Sequence, residues 1–382
     1  RGVTEVKIDI DLRESFGAPI EVTVSTRPKS AGAVPGVDYE SLTNYTFTID
    51  PNDVPEAQWD IKPITNNNVN DYDFHISGHT IVTEVLVNGQ WEVGVYNDDV
   101  GQTVILDSPM SHYDDKFANV IELNDQILVT WSVFDGSDYE IFMTSCSRDI
   151  VTGEFNLDEL NQNIMQITDN EVDDKNPKIS SQYITWWADS LAGNKEIFLY
   201  NMTTHGIRPI SNNIYNDYEP VISGSTVAWY TTDSTGQQDI YVYDAVVNSK
   251  RLLSDMSQNN SAPQISGKYV YWVGERGASR NIYVYDTETT EMLELDGITR
   301  TEGWRDSAPQ ISGNYLVWES GSSTNREILF YDLENNSGPT NISNKLGQDE
   351  SPTISGTNVA WRGLNPATGK WDIYYRDLTI TD

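Results

Sequence analysis

Glu219-Pro220-Val221-Ile222-Ser223-Gly224-Ser225-Thr226-Val227-Ala228-Trp229, followed by Asp239-Ile240-Tyr241-Val242-Tyr243-Asp244, decides the fold because the chain repeats it. About 43 residues later it returns as Ala262-Pro263-Gln264-Ile265-Ser266-Gly267-Lys268-Tyr269-Val270-Tyr271-Trp272 and Asn281-Ile282-Tyr283-Val284-Tyr285-Asp286, and it recurs at residues 309–318 and 352–361. A period of roughly 40–45 residues, built from short alternating strands, is that of one propeller blade. Apolar alternation and turn residues divide each repeat into four strands. Aligning the innermost strands brings Ile76, Val120, Ile179, Ile222, Ile265, Ile311 and Ile354 into one column, which predicts an all-β, seven-bladed β-propeller. The second repeat departs most, with an insertion from Ser147 to Asn163.

The ends of the repeat array predict how the ring closes. The last repeat stops after its third strand, Asp372-Ile373-Tyr374-Tyr375, whereas Ile61-Lys62-Pro63-Ile64-Thr65-Asn66-Asn67 matches the outer strand Ile207-Arg208-Pro209-Ile210-Ser211-Asn212-Asn213. Residues 59–65 are therefore expected to complete the seventh blade, which would remove its exposed edge. The repeat of Asp, Pro, short strand, Gly turn, strand ending in an aromatic, and Asp-Ile-Tyr-x-Tyr-Asp resembles TolB-like propeller repeats over residues 58–382. That resemblance implies a scaffold used in binding proteins, peptidase-associated domains and some polysaccharide lyases.

Residues 1–57 read differently. Val6-Lys7-Ile8-Asp9-Ile10-Asp11-Leu12, Ile20-Glu21-Val22-Thr23-Val24-Ser25 and Tyr45-Thr46-Phe47-Thr48-Ile49 alternate as half-buried strands. Ala31-Gly32-Ala33-Val34-Pro35-Gly36-Val37-Asp38-Tyr39 resembles a stretch of Calx-beta domains, which implies a partial β-sandwich. Three strands leave free edges, so the expected remedies are upstream sequence or a strand paired from another subunit. The chain begins at Arg1, which is read as a processed or truncated product.

Composition narrows the partners. A net charge of −34 excludes a nucleic-acid or anionic-membrane surface, and no stretch approaches the roughly 18 apolar residues of a membrane span. Cys146 is the single cysteine, which excludes a disulfide framework and a structural zinc site. Sequons at Asn44, Asn201, Asn259, Asn335 and Asn341 suit an exported chain.

Two sets of residues are candidates for a site. Asp71, Asp115, Asp174, Asp217, Asn260, Asp306 and Asp349 each stand five residues before the aligned inner-strand position, so the repeat arranges them in a ring. Each either caps its own loop or contributes to a cation-binding mouth suited to calcium. Tyr72, Tyr113, Tyr215, Tyr218 and Trp304 break the repeat on the same loops, with Arg300 and Arg305 beside Trp304, as aromatic platforms for a sugar or peptide. The repeated Trp131, Trp186, Trp229, Trp272, Trp318 and Trp361 read as core between blades. His75, His79, His112 and His205 lack metalloprotease spacing, no Gly-x-Ser-x-Gly elbow is present, and Asp135-Gly136-Ser137-Asp138-Tyr139-Glu140 reads as a hairpin turn. The expected function is a non-catalytic extracellular or cell-surface interaction and assembly protein. It would meet a protein partner or its own subunits through the N-terminal strands, with calcium the only cofactor anticipated. The alternative is a polysaccharide-binding or polysaccharide-degrading propeller with a glycan site at the loop face.

Overall fold

The computed structural model describes residues 20–24, 45–49, 72–107, 114–190, 192–254, 259–276, 279–295, 305–322, 325–335, 338–343, 348–365 and 370–378. The chain divides into two compact units, Arg1–Ile64 and Thr65–Asp382. In the first, Ile20–Val24 pairs antiparallel with Tyr45–Ile49, with Ile20 opposite Ile49. The expected strand at residues 6–12, the Calx-beta-like stretch at 31–39 and the expected closing strand at 59–65 lie outside the described residues.

The second unit is a β-propeller. Its first sheet runs Tyr72–Ser77, Thr80–Val87, Gln90–Asn97, Gln102–Ile105 in spatial as well as chain order. The same order recurs in Asp115–Glu122, Gln126–Phe134, Tyr139–Ser147, Met165–Gln166, then in Asp174–Ile179, Tyr183–Asp189, Lys195–Asn201, Gly206–Pro209, and in Asn216–Ser223, Thr226–Thr232, Gln238–Asp244, Ser249–Leu252. Strands between Asn259 and Asn341 form one nine-stranded sheet that holds the pattern twice, joined by the parallel pair Arg280 and Arg305. The last sheet has three described strands, Asp349–Ser355, Asn358–Asn365 and Lys370–Asp377. The insertion in the second repeat forms the single-turn helix Glu159–Gln162, and its Phe155, Leu157 and Leu160 are buried with Trp131 and with Val82, Val93 and Val95 of the first sheet. Asn161 accepts from the Asp107 amide at 2.8 Å and donates to the Ile105 carbonyl at 3.0 Å, so the insertion also ties down the end of the first sheet.

Tryptophan on the second strand organises every described sheet after the first. Trp186 clusters with Leu128, Ile141 and Met143 of the preceding sheet, Trp229 with Ile197 and Leu199, Trp272 with Ile240 and Val242, and Trp361 with Val317 and Ile328. These are contacts between sheets, as the repeat predicts. In four sheets the indole stacks on a third-strand ring, with centroids 5.9 Å apart for Trp186 and Phe198, 5.7 Å for Trp229 and Tyr241, 5.6 Å for Trp272 and Tyr283 and 6.1 Å for Trp361 and Tyr374.

A buried indole also needs an acceptor for its N–H. The residue twelve positions upstream supplies it: Nε1 of Trp186, Trp229, Trp272, Trp318 and Trp361 donates to Oδ1 of Asp174, Asp217, Asn260, Asp306 and Asp349 at 2.6, 3.0, 3.0, 3.1 and 3.1 Å. Asp217 accepts in addition from the Thr231 hydroxyl at Oδ1 and from Asn213 Nδ2 at Oδ2, the latter at 2.6 Å. Burial pushes the Asp217 carboxyl up to about 6 from 3.8, with the nearby Glu196 charge adding to the rise. The folded chain thus keeps this proton in a window from about pH 4 to about pH 6 where the unfolded chain has released it. The contribution to stability is greatest below that window and declines as pH rises through it.

Asp217→Ala removes the acceptor for three donors and is expected to cost about 2–4 kcal/mol by urea unfolding. Asp217→Asn keeps the oxygen for the indole but sets an amide against Asn213 Nδ2, so it should cost less than Asp217→Ala and flatten the decline in stability between pH 4 and 6. Equal losses from both substitutions would show that the indole bond is not what the carboxylate contributes.

Candidate functional site

The predicted ring residues are core groups. Asp115, Asp174, Asp217, Asn260, Asp306 and Asp349 are all buried, and all but Asp115 are bonded to an indole. Asp115 occupies the same register, opposite Val133 two residues beyond Trp131, and lies against Glu92. Asp71 lies outside the described residues.

The predicted aromatic platforms fall into two groups. Tyr218 stacks on Tyr230 with centroids 5.6 Å apart and meets Trp187 edge-on at 6.1 Å, while Lys195 Nζ sits 4.5 Å from the centre of the Trp187 ring. Tyr215 donates its amide to Asn213 Oδ1 at 2.6 Å, and its carbonyl accepts from Asn194 at 3.0 Å. Tyr215 and Tyr218 therefore come together where the third sheet meets the fourth, with the Tyr218 ring packed against its neighbours. Trp304, Tyr113 and Arg300 lie outside the described residues, and for Tyr72 and Arg305 the strand pairing alone is defined, opposite Glu84 and Gly321.

The pattern that sequence reading missed lies in the innermost strands. Two residues after Asp115, Asp174, Asp217, Asp306 and Asp349 the chain turns left-handed: Phe117, Asn176, Glu219, Ala308 and Ser351 have φ of 57°, 56°, 46°, 49° and 56°. Each coincides with a register shift, a β-bulge that redirects the strand. The available signal was Asp-x-x-Pro, because Pro177, Pro220, Pro309 and Pro352 follow four of these residues. Proline is tolerated there because an innermost strand is an edge strand, with a ladder on one side only. The preceding sheet secures two of the bulges: Phe117 N donates to Glu84 Oε1 at 2.9 Å, and Ser351 N to Glu319 Oε1 at 2.7 Å.

Beyond the bulges, the innermost strands of five successive repeats line a cavity of about 350 Å³. His75, Asn119, Lys178, Glu219 and Gln264 supply its polar groups. Lys178 Nζ lies 3.4 Å from His75 Nε2, between side chains 103 residues apart in sequence, and Asn119 Oδ1 accepts from the Ile179 amide at 3.1 Å. A polar cavity walled by strand edges offers main-chain donors and acceptors together with a cation and a carboxylate. Lys178 was absent from the sequence-derived candidates because a lone lysine before an apolar residue has no distinguishing pattern.

The other described histidines are engaged elsewhere: His79 Nδ1 with Asp99 Oδ1 at 2.5 Å, which raises the His79 pKa, and His205 Nδ1 with the Tyr200 hydroxyl at 2.7 Å. His112 lies outside the described residues. Burial pushes the Cys146 thiol up to about 12, so it is not a thiolate nucleophile at neutral pH.

No family model and no curated protein matches the chain, so the Calx-beta-like resemblance gains no support. Solved structures do match. A puromycin-hydrolyzing peptidase from Mycobacterium tuberculosis aligns with a TM-score of 0.50 at 13% identity, over 82% of this chain and 51% of that one. TolB from Acinetobacter baumannii aligns with a TM-score of 0.37 at 18% identity, over 68% of this chain and 61% of that one. The β-propeller domain of the Trilobed protease from Pyrococcus furiosus aligns at 0.47 and 9% identity, over 82% of this chain and 95% of that one. This chain thus spans about half the length of the Mycobacterium peptidase. At such identities the likeness shows the fold, a β-propeller. The expectation of a non-catalytic surface and assembly scaffold, with a polysaccharide site as its alternative, is corrected by this match, since the solved structure that aligns at 0.50 is that of a peptidase. Of the loop aromatics expected to form a glycan platform, Tyr218 packs against its neighbours.

Proposed function

We propose that this chain is the propeller of a peptidase-related protein and that its central cavity holds an extended peptide segment. The observation that carries the reading is the cavity wall, made from the edges of innermost strands with Lys178 and His75 at one place and Glu219 at another. Extended peptides are recognised by main-chain hydrogen bonds to strand edges, with side-chain groups adding selectivity. Lys178 suits a carboxylate on the peptide and Glu219 a basic group. In this reading peptide hydrolysis belongs to a part of the protein outside the described propeller residues.

Fluorescence anisotropy with labelled heptapeptides of mixed sequence tests this. Lys178→Glu and Glu219→Lys should each weaken the tightest peptide at least about tenfold, the equivalent of roughly 1.4 kcal/mol. Tyr218→Ala should leave that affinity unchanged. Binding that ignores both charge reversals, or no binding to any heptapeptide, removes the cavity as a peptide site.

We further propose seven blades, closed by residues 59–65 against Lys370–Asp377, with residues 1–57 as a separate segment. The three described strands of the last sheet, against four in each of the first four, support this. Removing residues 1–57 should then leave the melting temperature nearly unchanged, whereas removing 1–65 should lower it by roughly 10 °C. Equal melting temperatures for the two truncations would refute the closure.

A further inference from the structure

In the third sheet Asn194, two residues before Glu196, places its side-chain amide at the centre of an oxygen cage. Asn194 Nδ2 donates to Glu196 Oε1 at 2.6 Å, to the Asn213 carbonyl at 2.9 Å and to the Tyr215 carbonyl at 3.0 Å. The second sheet repeats the surroundings closely. Glu140 takes the place of Glu196, and its Oε1 accepts the Asn170 amide at 2.6 Å as Glu196 Oε1 accepts the Asn213 amide at 3.0 Å. Asn170 Nδ2 reaches Asp174 Oδ2 at 2.6 Å as Asn213 Nδ2 reaches Asp217 Oδ2 at 2.6 Å. The amide at the centre is what changes, because Asp138 stands where the third sheet has Asn194. A donor is replaced by a second carboxylate inside a cage of acceptors.

The consequence is visible in the hydrogen bonds. Asp138 is 6% exposed and Glu140 is 0% exposed, yet Asp138 Oδ2 and Glu140 Oε2 have no hydrogen-bond partner among the described residues. Asp135 brings a third carboxylate, and one ligand oxygen from each of Asp135, Asp138 and Glu140 lies within 4.8 Å of the others. Asp135 Oδ1 is already occupied by the Ser137 amide at 2.8 Å, the Ser137 hydroxyl at 2.7 Å and the Asp138 amide at 3.1 Å, which fixes the turn while leaving its second oxygen for a ligand. Buried carboxylates with open lone pairs need a positive charge.

We propose that Asp135, Asp138 and Glu140 bind a divalent cation of the calcium class, which replaces the amide nitrogen that Asn194 supplies in the next sheet. The ligands are hard oxygens, the chemistry calcium prefers, and the loop beside them turns as in the neighbouring sheet, with Val172 N donating to Asn170 Oδ1 at 2.8 Å as Tyr215 N donates to Asn213 Oδ1 at 2.6 Å. The site lies at the seam between the second and third sheets, so the cation would tie one blade to the next.

Melting of the intact chain in calcium and in chelator, with calorimetric titration of calcium alone, tests the proposal. Asp138→Asn restores the arrangement seen at Asn194 and should therefore fold without the ion. Calcium should raise the melting temperature of the parent by roughly 3–6 °C, and Asp138→Asn should lose that rise and bind calcium at least about tenfold more weakly. Glu140→Gln should lose the response in the same way. No rise in the parent, or the same rise in Asp138→Asn, overturns the site.

Discussion

The bond from a buried indole N–H to a carboxylate twelve residues upstream is the constraint on which the propeller depends. The indole supplies the apolar area that glues one sheet to the preceding one, and in five repeats its single polar group is satisfied by this bond, Trp131 of the second sheet being buried without a partner for its N–H among the described residues. Placing the acceptor on the innermost strand fixes the register of the first two strands of the same sheet. One residue pair thereby sets a strand pairing and a contact between sheets together. Asn260 serves as well as an aspartate, so an oxygen acceptor is required and a charge is not.

From that pair a chain of polar groups leads back into the preceding sheet. Glu196 accepts from the Ser211 hydroxyl and the Asn213 amide, Asn213 Nδ2 reaches Asp217, and Asp217 holds Trp229. The hydroxyl also accepts from the amide after the acid, at 2.7 Å for Ile197 and Ser211, 2.8 Å for Ile141 and Thr168, 2.9 Å for Ile240 and Ser254 and 2.9 Å for Ile328 and Ser343. The outer strand, the crossing loop and the next innermost strand are thus joined by hydrogen bonds with little exposure to water, where such bonds gain strength. This arrangement makes sense of a chain carrying 58 acidic residues against 24 basic ones, since several of its acids act as buried acceptors for fixed donors rather than as free surface charge.

The fold was legible because its determinants recur. Tryptophan, the Ser-Gly turn and Asp-Ile-Tyr return at a fixed spacing, and repetition separates them from chance. The direction of the ring carboxylates was not legible, because a spacing of twelve residues brings the Asp opposite the residue two beyond the Trp, within reach of the indole N–H, only once the hairpin and its bulge are known. The bulges themselves were hidden behind ordinary residues, Asn176, Glu219, Ala308 and Ser351, which carry no glycine to announce a left-handed backbone. The cavity escaped for a related reason. His75, Asn119, Lys178 and Glu219 come from four different repeats, and no local pattern joins them.

Positions that recur maintain the blade, so chemistry is to be sought where a repeat departs from its neighbours, but the kind of departure matters. An aromatic departure such as Tyr218 is absorbed by the adjacent rings, because an exposed ring gains area by packing against whatever lies beside it. A polar departure in a buried position has no such remedy. When Asn194 of one sheet becomes Asp138 in another, Glu140 keeps its place and the donor is lost, leaving Asp138 Oδ2 and Glu140 Oε2 without a hydrogen-bond partner among the described residues. Unbalanced buried charge is costly, so a buried polar departure of this kind is where a ligand of opposite charge is to be sought.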